Sequence, residues 1–109
     1  MKKYELTDVR IKARVHESAL ILVLHQIRAL RDLHHEGLGI TINAGDLGGY
    51  IQSEDNLSHE GDCWISNGCV VGGNAKVKDD VLVMGNILLF GNMTLEGDSF
   101  IIDNSGASL

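Results

Sequence analysis

From Cys63 onward the chain repeats one apolar and polar pattern every six residues: CWISNG, CVVGGN, AKVKDD, VLVMGN, ILLFGN, MTLEGD, SFIIDN and SGASL. The third position is apolar throughout, as Ile65, Val71, Val77, Val83, Leu89, Leu95, Ile101 and Ala107. The first position is small to medium and never charged, and the fifth and sixth come almost wholly from Gly, Asn and Asp. Side chains alternate across a strand, so positions one and three share a face, while Gly, Asn and Asp tolerate the left-handed backbone of a sharp corner. Each hexad therefore predicts one short strand and one corner. Three hexads close a triangle, and successive triangles would stack about 4.8 Å apart through parallel pairing. Small side chains at position one suit a narrow interior that the aliphatic at position three fills.

The corners Gly73-Asn74, Gly85-Asn86 and Gly91-Asn92 should hold left-handed backbone, and Val71, Val77, Val83, Leu89 and Leu95 should be almost fully buried. Extended backwards, the register takes in Leu57 to Asp62, with His59 at position three, and Ile51 to Asn56. Before Ile51 the period of six disappears. Val9 to Val15 alternates apolar and basic residues and predicts a half-buried strand. Ser18 to Leu33 allows a helical stripe capped by Ser18 and stopped at Gly37, which propensity alone slightly favours.

The small-x-aliphatic-x-x-x pattern resembles the hexapeptide-repeat left-handed β-helix, whose known members include many acyltransferases. Left-handedness is implied by that resemblance and runs against the usual right-handed crossover. YELT at Tyr4, LHQIRALRD at Leu24, GDLGGY at Gly45 and LSHEGDCWI at Leu57 together resemble the N-terminal module of bacterial and phage hexapeptide-repeat proteins described as acyltransferases. The resemblance implies that LHQIRALRD is extended rather than helical. The expected fold is all-β: a short left-handed parallel β-helix of about three triangular coils over residues 51–109, capped by a β-meander over residues 1–50. Gly45, Gly48 and Gly49 would turn the chain onto the first coil.

Composition narrows the function classes. With 109 residues the chain is too short for a multidomain enzyme, and 13 glycines with no proline fit regular corners better than a disordered tail. A net charge of −6 repels phosphate backbones, so nucleic acid is not an expected partner. The longest apolar run, Ala19 to Leu24, is far short of the ~20 residues of a membrane span, and no apolar signal segment follows Met1-Lys2-Lys3. A cytoplasmic protein without membrane contact is expected. Cys63 and Cys69 both fall at position one and read as small core residues rather than a metal or redox pair.

For chemistry, the resemblance implies a histidine general base and a CoA thioester such as acetyl-CoA. His16, His25, His34, His35 and His59 are available, and His59, standing where other hexads place an aliphatic, is the candidate base. Its structural alternative is to close the end of the repeat and hydrogen-bond backbone from the cap. The outward positions carry more information. Trp64, Leu82 and Phe100 at position two, with Met84 and Ile102 at position four, collect on one face, and Val70, Leu88 and Phe90 collect on a second. Apolar outward faces ask to be covered, by the cap folding back or by subunit packing. The repeat as written also ends without a polar cap, leaving an edge that invites another chain. The expected function is a non-catalytic binding and assembly module without cofactor, acting as a homodimer or homotrimer and binding another protein or a small molecule, including as a phage-borne inhibitor or sequestering protein. The alternative is a CoA-dependent acyltransferase.

Overall fold

Among the residues described by a computed structural model, 2–14 and 21–103, twelve strands form four sheets. His16, the Ser18 helix cap and the last hexad with Gly106 and Ala107 lie outside the described residues. The ambiguous stretch is extended, as the resemblance implied: β2 (Ile21–Ala29) pairs antiparallel with β1 (Tyr4–Arg14) along most of its length. Alternate burial of Leu22, Leu24 and Gln26 explains why the strand wins, since one face packs inward and the other meets solvent. A short hairpin follows, β3 (Leu33–His35) with β4 (Ile40–Ile42), turning through a 3₁₀ turn at Glu36–Leu38 and left-handed Gly39.

Downstream, the repeat pairs each strand with the one three hexads later. β6 (Trp64–Ile65), β9 (Leu82–Gly85) and β12 (Phe100–Asp103) pair in parallel, as do β7 (Val70–Val71) with β10 (Leu88–Leu89) and β8 (Lys76–Val77) with β11 (Thr94–Leu95). Left-handed backbone appears at Gly73, Gly85 and Gly91, as the corner chemistry requires. The column Gly61, Asp79 and Gly97 adds φ of 71°, 60° and 88° at the same corner of three successive turns.

The expected left-handed β-helix with a meander lid is nevertheless not the architecture found. The largest sheet is mixed, in the order β1-β2-β5-β7-β10, with β5 (Leu47–Ile51) antiparallel to β2 on one side and parallel to β7 on the other. The N-terminal strands thus extend one sheet sideways and do not stand as a separate lid on the end of a closed solenoid. Glycine explains how they come so close. A Cβ at Gly48 would lie 2.6 Å from the Trp64 ring, and one at Gly49 would lie 2.5 Å from the Cys69 carbonyl oxygen. These two residues let β5 press against the repeat, and only Gly45 of the three expected turn glycines has positive φ.

The backward register is also corrected. Ile51 pairs with Val71 and Leu57 with Val77, so each partner lies two positions beyond the three-hexad spacing. Two extra residues therefore lie between Leu57 and Cys63, and an even shift keeps apolar side chains on the inner face. Leu57, fully buried, takes the inward place assigned to His59. The core runs from Tyr4, Ile27 and Leu33 through Ile51 and Leu57 to Ile65, Val71, Val77 and Val83. Leu89 and Leu95 are only half-buried, because they belong to the last described rungs of their ladders.

Candidate functional site

His59 sits where the start of β1 meets the loop that holds the two extra residues. Its ring stacks on Tyr4 with centroids 4.1 Å apart and planes 14° from parallel. The Lys3 backbone N–H donates to Nδ1 at 3.1 Å, and Nε2 lies 2.7 Å from Glu54 Oε1. Because a backbone N–H can only donate, Nδ1 accepts and the ring proton belongs on Nε2, donated to Glu54. Both ring nitrogens are thereby engaged, which leaves no free lone pair for a general base. The hydrogen bond from His59, helped by Lys2, holds the Glu54 carboxyl below its usual range.

Beneath this pair lies a cluster that the sequence did not announce. Lys3 is fully buried, and its Nζ donates to the Cys63 carbonyl oxygen at 2.7 Å and to Cys63 Sγ at 3.1 Å. Burial pulls the Lys3 ammonium below its ordinary value and pushes the Cys63 thiol above its own. The Tyr4 hydroxyl donates to the Leu57 carbonyl oxygen at 2.6 Å, and burial raises its pKa as well. Together these bonds clamp the N-terminal strand onto the 54–63 loop. Nothing in a one-dimensional pattern marks Lys3, since a lysine beside the chain start ordinarily reads as solvated.

The other candidates separate. His25 is half-buried on β2, while His34 and His35 border a cleft of about 580 Å³ together with Glu36, Asp62, Asp80 and Asp98. Asp62 organises one wall: its carboxylate accepts from Arg31 at 3.1 Å and from the His34 backbone at 2.9 Å, and its carbonyl oxygen lies 2.7 Å from His35 Nε2. The three aspartates share the sixth hexad position, one in every third hexad, which is a signal the sequence itself carries. Cys63 and Cys69 are free and buried. Among the described residues no group of three or more His, Cys, Asp or Glu side chains is placed to hold a metal ion, and no helix is long and apolar enough to cross a membrane.

The expected association face is divided in two. Trp64 and Leu82, only 2% and 1% exposed, are buried within the chain: Gly48 of β5 lies against the Trp64 ring, and Ile40, Ile42 and Leu47 line the same groove. A groove of about 260 Å³ remains between these residues and Met84. Phe100 and Ile102, one rung further along the same ladder, stay 38% and 50% exposed. On the second face Phe90 is half-buried, packed over Gly72 beside Leu22, Val70 is half-buried, and Leu88 is exposed. Burial within the chain thus replaces the expected intersubunit burial at Trp64 and Leu82.

No protein-family model and no curated protein sequence matches the chain.

Proposed function

We propose that the protein is a non-catalytic binding and assembly module that works by self-association, as a homodimer or homotrimer. The observation that carries this reading is the apolar strip of Met84, Phe100 and Ile102, which continues the groove beside Trp64 and Leu82 out into solvent. These side chains stand on one ladder at the strand spacing, so rotamer changes cannot disperse them, and burial against a second copy recovers their transfer free energy. Leu88 adds a smaller apolar element on another face. A partner protein or small ligand at the subunit boundary, in the manner of an inhibitor or sequestering protein, extends the same reading. A cytoplasmic location goes with it, supported by two buried thiols that remain free.

Acyl transfer, the activity that the hexapeptide-repeat resemblance suggests, gains no support from His59, whose two nitrogens serve Lys3 and Glu54. Sedimentation velocity in the micromolar range tests the proposal. The wild-type chain should sediment as a dimer or trimer, and Phe100→Glu with Ile102→Glu should sediment as a folded monomer. A folded wild-type monomer, or an oligomer indifferent to both changes, would overturn it. A melting-temperature rise with acetyl-CoA that His59→Ala abolishes would restore the enzyme instead.

A further inference from the structure

Charge is divided unevenly along the chain. From the start through His35 there are seven basic and four acidic side chains, whereas the remainder carries two and eleven. Folding turns that division into two surfaces. On the β1–β2 arm the antiparallel register sets Arg10 opposite His25 and Lys12 opposite Val23, with Ile21 on the same side by alternation. A basic column therefore runs beside an apolar one in which Ile21 and Val23 are 51% and 41% exposed. Arg10 and Lys12 make no ion pair among the described residues.

The complementary pattern lies on the repeat. Asp80 and Asp98 stack three hexads apart, each two positions before Leu82 and Phe100, so an acidic column runs beside an apolar strip. Asp62, in the same column, has Arg31 at 3.1 Å, but Asp80 and Asp98 have no cationic partner among the described residues. Carboxylates in a column at strand spacing repel one another, which a facing cation relieves. Pairing two arms edge to edge would instead set basic column against basic column, so like charge disfavours that arrangement.

We infer that the outer face of the β1–β2 arm of one copy docks on the Phe100–Ile102 strip and the Asp80–Asp98 column of a second copy. This inference rests on the self-association reading and names the second half of its interface. Because two different patches meet, the contact repeats head to tail or closes reciprocally within a dimer. Arg10 and Lys12 steer and fix the register, and Ile21 and Val23 meet the apolar strip.

Charge exchange tests it. Arg10→Glu with Lys12→Glu alters the arm, and Asp98→Lys alters the acidic side; all three side chains are exposed, so both variants should keep the wild-type melting temperature. Each variant alone should associate at least roughly tenfold more weakly than wild type by sedimentation equilibrium, and an equimolar mixture should recover association. Wild-type association in either single variant, or no recovery in the mixture, would overturn the inference and leave self-association standing. A wild-type chain that stays monomeric through the micromolar range would reject the parent reading itself.

Discussion

Trp64 and Phe100 hold the same place in the repeat, on the first and third strands of one parallel ladder, yet the indole is buried and the phenyl ring is 38% exposed. The N-terminal region makes the difference: Gly48 of β5 lies against the Trp64 ring, and Ile40, Ile42 and Leu47 line the groove beside Trp64 and Leu82. Periodicity thus sets the direction in which a side chain points, and a segment with no periodicity of its own decides whether that direction leads to solvent. The covered rung contributes to folding stability, and the rung beyond it keeps its apolar side chains exposed.

The largest test of this contrast compares the two ends of the inner face. Val83→Asp places a carboxylate in the buried core, between Ile65 and Ile101 of its own ladder, which should cost several kcal/mol and the fold itself. The same change at half-buried Ile101 should be milder, and urea denaturation of the two variants measures the gap. An equal loss would mean that the far rung is as firmly packed as the near one.

Next in size, Trp64→Ala should cost about 3–5 kcal/mol, whereas Phe100→Ala should cost about 1 kcal/mol in the monomer and act mainly on association. Corners follow the same gradient. Gly61→Ala would force a left-handed alanine whose Cβ lies 2.3 Å from the Asp79 carbonyl oxygen, but a Cβ at Gly97 meets nothing within 4 Å. The first should lose roughly 2–5 kcal/mol and the second about 1–2 kcal/mol by thermal denaturation.

The smallest expected effect is a pH dependence at the clamp formed by Lys3, Tyr4 and Cys63. Burial lowers the Lys3 pKa, so between that value and about 10.4 the unfolded chain binds more protons and stability rises with pH. Cys63 and Tyr4 are shifted upward, so above about pH 8.5, and further above about pH 10, the folded chain keeps protons that the unfolded chain releases and stability falls. The melting temperature should therefore rise as pH passes the lowered Lys3 value and fall in the alkaline range, where the folded chain holds the Cys63 and Tyr4 protons that the unfolded chain releases. Lys3→Met should flatten the climb. On the acid side, the lowered Glu54 carboxyl contributes stability that fades as pH falls through its folded value, a small effect for a side chain this exposed.

Much of the repeat was legible because its physics is local. An apolar third position and a glycine corner need only neighbours in sequence, and Val71, Val77, Val83, Gly73, Gly85 and Gly91 behave accordingly. What could not be read depends on partners far along the chain. The lengthened turn that puts Leu57 in place of His59, the mixed sheet that joins β2 to β5 and β7, and the burial of Trp64 all come from contacts whose strength no hexad records. Lys3 is the extreme case, a charged residue whose burial depends on carbonyl and thiol groups some 60 positions away.

That burial also gives the chain a built-in chemical reporter. Of its five lysines, Lys2, Lys12, Lys76 and Lys78 are exposed and Lys3 alone is enclosed. An amine-reactive reagent should therefore modify four sites at the pace of free amines and the fifth only when the N-terminal strand lifts away from Cys63. Because Lys2 is the adjacent residue, it supplies the reference rate within the same stretch of backbone, and the ratio of the two rates reads how often that strand detaches under native conditions.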